Sequence, residues 1–232
     1  MTLKKPVPGG FLIAIEGIDG AGKSVAIEGV ARSLRLRGLE VVLTREPTCG
    51  PWGRKLRDSM VKGRMTPEDE LEAFMEDRKE HVRTLIAPNL AANRIVITDR
   101  YYFSTVAYQG ARGYDPLKLM RENEAFAVEP HLLVVVDVDP ETSLARIGYR
   151  DGLGNHFETR QQLVRSRQIF LELQKPYLVV VDGRQRPCDV RDEILLAFHR
   201  FALQRISEHR EWMPSERLKA VAELLGAPGF DA

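Results

Sequence analysis

A chain of 232 residues, 44% hydrophobic and 29% charged, has room for one large α/β domain with a proper core. A formal net charge of +1 excludes a global field for nucleic acid or membranes, so any attraction for phosphate must be local. Two cysteines, Cys49 and Cys188, lack metal-ligand spacing, and no apolar run nears the roughly 18 residues of a membrane span, which points to a reduced, cytoplasmic protein.

The first ten residues, MTLKKPVPGG, lack the apolar core of a signal peptide and read as a loose lead-in. Residues 11–15, Phe-Leu-Ile-Ala-Ile, form an apolar run expected of a buried parallel strand. Gly17-Ile18-Asp19-Gly20-Ala21-Gly22-Lys23-Ser24 follows, with the spacing of a phosphate-binding loop. Its glycines let backbone N–H groups turn inward around phosphate oxygens, and the next helix directs its positive end at the same anion. Lys23 would reach the β- and γ-phosphates, and the Ser24 hydroxyl would ligate Mg²⁺. A chance glycine-rich turn is the alternative, but strand, loop and helix stand in the required order. Binding of a nucleoside triphosphate is the expectation.

A helix is predicted over residues 22–37, with Val30, Ala31 and Leu34 on one face and Gly38 as its C-cap. Residues 41–44 read as strand two. Arg45-Glu46-Pro47 lies beyond its carboxyl end, where parallel sheets bind ligands, though solvated loop charges explain Arg45 and Glu46 equally well. Residues 52–62 form a short basic helix, on which Arg57 is either a phosphate contact or part of a solvated face. Thr66-Pro67-Glu68-Asp69 starts a helix running to about residue 92, with a break near Pro88. Phe74 and Arg78 share a face of it. A ring beside a guanidinium suits a planar heterocycle; a core Phe with a surface Arg is the blander alternative.

Residues 95–98 are strand three, and Asp99-Arg100-Tyr101 sits at its end. An apolar strand ending in Asp is the expected partner of a phosphate loop, its carboxylate holding Mg²⁺. Arg100 would add a positive fork where phosphates meet, unless the two form only a structural ion pair. Ser104, Thr105, Tyr108 and Gln109 begin the next helix, with Ser104 and Tyr108 one turn apart. Residues 132–136 are strand four. A helix from Pro140 carries Arg146 and Arg150 into the glycine-rich stretch 151–155, which suits a lid over about 146–158 or a plain surface loop. Residues 157–174 read as helix, 177–181 as strand five and 189–206 as the last core helix. In the C-terminal extension 207–232, residues 214–225 form an amphipathic helix that either packs back on the domain or makes a dimer contact. The alternation predicts one domain over 1–232: a five-stranded parallel sheet with helices on both faces.

The segments AIEGIDGAGKS, TREP, Phe74-x-x-x-Arg78, ITDRYYFSTVAYQG and LLVVVDVDPETSLAR, in this order over roughly residues 11–195, resemble the thymidylate kinase family. The resemblance implies a nucleoside-monophosphate-kinase fold and Mg²⁺-dependent phosphoryl transfer from ATP to dTMP, giving dTDP for dTTP biosynthesis. It also implies a homodimer. By its pattern Phe74 stacks on thymine and Arg78 reads the base's carbonyl edge. Arg100 clamps the dTMP phosphate with Arg57 as a second contact. Asp19 lies near the 3′-hydroxyl and the acceptor phosphate, while Thr105, Tyr108 and Gln109 close the sugar and base pocket. Members supply the catalytic arginine from the phosphate loop or from the lid. Gly20 occupies the loop position here, so Arg150 in the lid fits the second form.

Three departures stand out: Val25 where Thr is usual, Thr48-Cys49-Gly50 in place of a glycine-rich stretch, and Asn155-His156 in the lid. The resemblance implies catalytic roles for Lys23, Asp19, Arg100 and Arg150, with Ser24 and Asp99 at the metal. A kinase of another acceptor, such as dUMP or a deoxynucleoside, and a nucleotide-binding module without catalysis are the rival expectations.

Overall fold

A computed structural model describes residues 10–63, 65–151 and 160–208. Five strands, β1 (Phe11–Glu16), β2 (Val41–Arg45), β3 (Ile95–Asp99), β4 (Leu132–Asp137) and β5 (Leu178–Asp182), form one sheet in the order β2-β3-β1-β4-β5. Every pairing is parallel. β1 is central, with all six residues fully buried, as its unbroken apolar run requires. Its register sets Ile15 abreast of Asp99, so the chain leaves β1 and β3 at the same level. The fold class expected from the sequence is the one observed.

The described helices are α1 (Lys23–Leu36), α2 (Pro51–Lys62), α3 (Pro67–His81), α4 (Ala87–Ala91), α5 (Tyr102–Gly110), α6 (Pro116–Glu124), α7 (Pro140–Asp151) and α8 (Arg160–Glu172), between strands, and α9 (Pro187–Glu208), after β5. α1 buries Ala26, Ile27, Val30, Ala31 and Leu34, the stripe expected of one helical face. It ends as expected at Gly38, whose positive φ lets Gly38 N–H reach Arg35 O at 2.9 Å and Leu39 N–H reach Leu34 O at 3.2 Å. Thr66 caps α3 by accepting from Asp69 N–H at 3.1 Å.

The expected break near Pro88 is a π-helical turn, Val82–Ile86, in which Ala87 N–H bonds Val82 O. Pro88 has no N–H to keep the narrower ladder going, so the wider turn absorbs the defect. α6 has no counterpart in the sequence reading, although its start carries a signal: Asp115 accepts from Leu117 N–H at 2.9 Å and Pro116 occupies the first turn. Residues 152–159 and the helix expected over 214–225 lie outside the described residues. Among the described residues no helix is long and apolar enough to cross a membrane.

Candidate active site

The phosphate loop is pressed against β4 and α7. A side chain at Gly17 would bring its Cβ to 2.3 Å from the Val136 carbonyl oxygen, and one at Gly20 to 2.7 Å from that of Ser143. Both have positive φ, so glycine is required on two counts. Ser143 Oγ donates to Asp19 O at 2.5 Å and fixes the turn. Lys23 Nζ arches over the loop and donates to the carbonyls of Gly17 and Ile18, each at 3.0 Å. Burial and the nearby Arg100 charge lower its pKa to about 8, against the pull of Asp19, Asp99 and Glu16.

Free Lys23 loses its proton above about pH 8. A bound anion needs the ammonium, so binding above that pH takes up a proton, and the Kd for Mg·ATP should rise about tenfold per pH unit. Calorimetric titration in two buffers of different ionisation enthalpy checks this; a Kd that stays flat over about pH 7 to 9.5 would contradict it.

Ser24 Oγ donates to Asp99 Oδ2 at 3.1 Å, joining loop and β3. Asp99 Oδ1 is buried with no hydrogen-bond partner. A buried carboxylate oxygen without a donor is costly, and a cation beside a hydroxyl and a carboxylate would satisfy it. Mg²⁺ suits such a sparse donor set, because it fills its remaining positions with water and substrate phosphate.

On the other side of Asp19 lies a cavity of about 270 Å³. Asp19, Phe74, Arg78, Arg100, Thr105, Tyr108 and Gln109 all line it, so residues read separately from the sequence converge. Arg100 Nη2 donates to Asp19 Oδ1 at 2.6 Å and to the Tyr108 hydroxyl at 3.3 Å. Arg57 is not among the lining residues; its Nη1 donates to Pro47 O at 2.9 Å, at the rim. Arg150 lies in α7, but its side chain falls outside the described residues.

Arg78 is 1% exposed, so it is no surface arginine. It donates to Glu46 Oε2 through Nε at 2.8 Å and Nη2 at 2.6 Å, to Asn123 Oδ1 at 2.6 Å and to Thr105 Oγ1 at 3.1 Å. The other oxygen of Glu46 meets His81 Nδ1 at 3.0 Å. Glu46 is thereby a buried anchor of the cavity wall, while Arg45 beside it stays exposed.

The sequence of this chain matches the model of the family "Thymidylate kinase" over residues 15–194. It belongs to the thymidylate kinase family. A thymidylate kinase of Xanthomonas oryzae pv. oryzae (strain PXO99A) is 46% identical over 222 residues, 95% of this chain and 96% of the relative. Thymidylate kinases of Xanthomonas euvesicatoria pv. vesicatoria (strain 85-10) and Xylella fastidiosa (strain M23) are 53% and 48% identical over 176 and 177 residues, each 76% of this chain and 77% and 81% of the relative. The first match reaches into residues 207–232, beyond the stretch on which the sequence resemblance rests.

Within this thymidylate kinase frame, several site residues escaped the sequence reading. Glu70 lines the cavity and is held by Arg112 and by Gln109 Nε2, the latter at 3.2 Å. Arg146 Nη1 approaches Gly20 O at 3.3 Å and its Nη2 donates to Gly183 O at 3.1 Å, so α7 brings an arginine onto the phosphate loop in addition to Arg100. It also lines a cavity of about 320 Å³ with Val25, Gly183 and Pro187, on the outer side of the loop. The departure at Thr48 has a local role: its N–H and hydroxyl donate to Asp77 at 2.8 and 2.6 Å, and its Oγ1 accepts from Gly50 N–H at 3.0 Å just before α2.

Proposed function

We propose that this chain transfers the γ-phosphoryl group of Mg·ATP to dTMP, giving ADP and dTDP. The supporting observation is that Asp19 of the phosphate loop and Arg100, paired at 2.6 Å, both line the 270 Å³ cavity, so loop and cavity share that pair. Donor and acceptor phosphates would meet at that pair. Lys23 holds the β- and γ-phosphates, and Ser24 with Asp99 holds Mg²⁺. A metal bound there supplies charge neutralisation across the transferring phosphoryl group. Arg100 takes the acceptor phosphate, with Arg57 as a second contact, and Asp19 faces the 3′-hydroxyl.

Phe74 stacks on thymine and Arg78 reads its carbonyl edge, while Tyr108 and Gln109 close the sugar and base pocket with Thr105 also in contact with dTMP. Arg150 closes from the lid, and the outer cavity beside Val25 and Arg146 takes the adenine. A phosphate monoester is already an anionic nucleophile at neutral pH, so no general base is required; positioning and electrostatics supply the catalysis. A homodimer and a cytoplasmic location complete the proposal. The two exposed free cysteines are in keeping with a reducing compartment.

The acceptor is tested by parallel rates with dTMP, dUMP, dCMP and thymidine. The expected order places dTMP first and thymidine, which lacks the phosphate that Arg100 holds, at background. Faster turnover of another acceptor would overturn the assignment of the base pocket.

A further inference from the structure

We propose that Glu16 is a positioning residue for the phosphoryl acceptor: it aims Arg100 through the Ser104 hydroxyl and the start of α5. The proposal deepens the function above and rests on Arg100 as the acceptor-phosphate contact. Glu16 ends β1 at 0% exposure, a carboxylate where the strand pattern calls for an apolar residue. It is occupied from one direction. Its Oε1 accepts from Tyr101 N–H at 2.7 Å and Ser104 N–H at 3.1 Å, and its Oε2 accepts from Ser104 Oγ at 2.6 Å.

These donors form the opening turn of α5. Tyr101, the residue before that helix, contributes no side-chain cap, so Glu16 performs from β1 the capping usually done by a neighbouring side chain. The same bonds pin Arg100. Its φ is +67°, a left-handed conformation that is unfavourable for a non-glycine residue and persists only where the surroundings enforce it. Arg100 N–H donates to Ile15 O at 3.0 Å, and Thr98 Oγ1 donates to Arg100 O at 2.7 Å. With Tyr101 N–H on Glu16, the kink is held on both sides.

The hydroxyl adds polarity. Arg100 Nη1 donates to Ser104 Oγ at 3.0 Å, and a guanidinium can only donate. The Ser104 hydrogen is therefore committed to Glu16 Oε2, giving a directed chain from Arg100 through Ser104 to Glu16 while the other end of the guanidinium reaches Asp19. Burial pushes the Glu16 carboxyl up to about 7, opposed by the Ser104 bond and the charges of Arg100 and Lys23. An amide in place of the carboxylate would turn a donor toward Ser104 Oγ, already taken as acceptor by Arg100, and strand the hydroxyl hydrogen.

The test compares Glu16→Gln, Ser104→Ala and Arg100→Ala in the full chain, with Ser104→Ala also made in the Arg100→Ala background. E16Q and S104A should each lower kcat/KM for dTMP about tenfold while KM for ATP moves less than about twofold. S104A should cost nothing further once Arg100 is gone. S104A leaves Glu16 and its two backbone bonds in place, so it carries the test if E16Q does not fold. Equal losses from S104A with and without Arg100 would show a direct contact with substrate and overturn the proposal. So would normal dTMP kinetics in S104A while R100A is impaired. R100A at the wild-type rate would overturn the acceptor assignment itself, and the proposal with it.

Discussion

Arg100→Ala is expected to lower kcat/KM for dTMP about 100-fold or more, on the order of 3 kcal/mol, with little change in ATP affinity. The guanidinium joins the two halves of the site, touching Asp19 of the phosphate loop and Ser104 and Tyr108 of α5. On the proposed role, a positive fork there would meet charge that grows as the acceptor oxygen attacks, so its removal would cost the transition state more than the ground state. Alanine also removes the positive charge 2.6 Å from Asp19, so the carboxylate disfavours an incoming phosphate further. Steady-state kinetics with dTMP varied at saturating Mg·ATP measure the loss. A change under about threefold would remove Arg100 from the acceptor site.

Arg78→Met should act on stability as well as on substrate. Arg78 and Glu46 are a buried pair, with side chains 1% and 3% exposed. Taking away one member of such a pair strands the other charge and costs about 3–5 kcal/mol, which in a domain of this size lowers Tm on the order of 10 °C. Methionine keeps much of the volume, so the loss reports the charge and its hydrogen bonds. Adding Glu46→Gln to R78M should restore about half of the lost Tm, since the stranded carboxylate is then neutral. Neither variant should regain normal kcat/KM for dTMP. Thermal denaturation of the two single variants and the double variant decides it: an R78M Tm within about 2 °C of the parent would mean that the pair does not anchor this wall.

The contrast between Glu46 and Phe74 shows what the sequence could disclose. Phe74 and Arg78 share a helical face by spacing alone, and that face does line the cavity. Glu46 read equally well as a solvated loop charge, because its partners, Arg78 and His81, lie 32 and 35 residues away. Only the parallel packing of β2 against β3, with α3 alongside, brings them together. The five strands and the phosphate loop were legible for the opposite reason: each is written in a local run of apolar residues or glycines, whereas the order β2-β3-β1-β4-β5 is not. Glu16 gave one faint signal, a charge closing an otherwise apolar strand, and no local pattern says that α5 supplies its donors. Arg146 and Arg150 sit one helical turn apart, and spacing alone could not assign Arg146 its contacts with Gly20 and Gly183.

The most direct test of phosphoryl transfer to dTMP is ADP release from Mg·ATP by the purified full chain, with and without dTMP. The account predicts release that depends on dTMP and is matched by formation of dTDP. ATP binding without dTMP-dependent release, or release that only a different monophosphate supports, would contradict it.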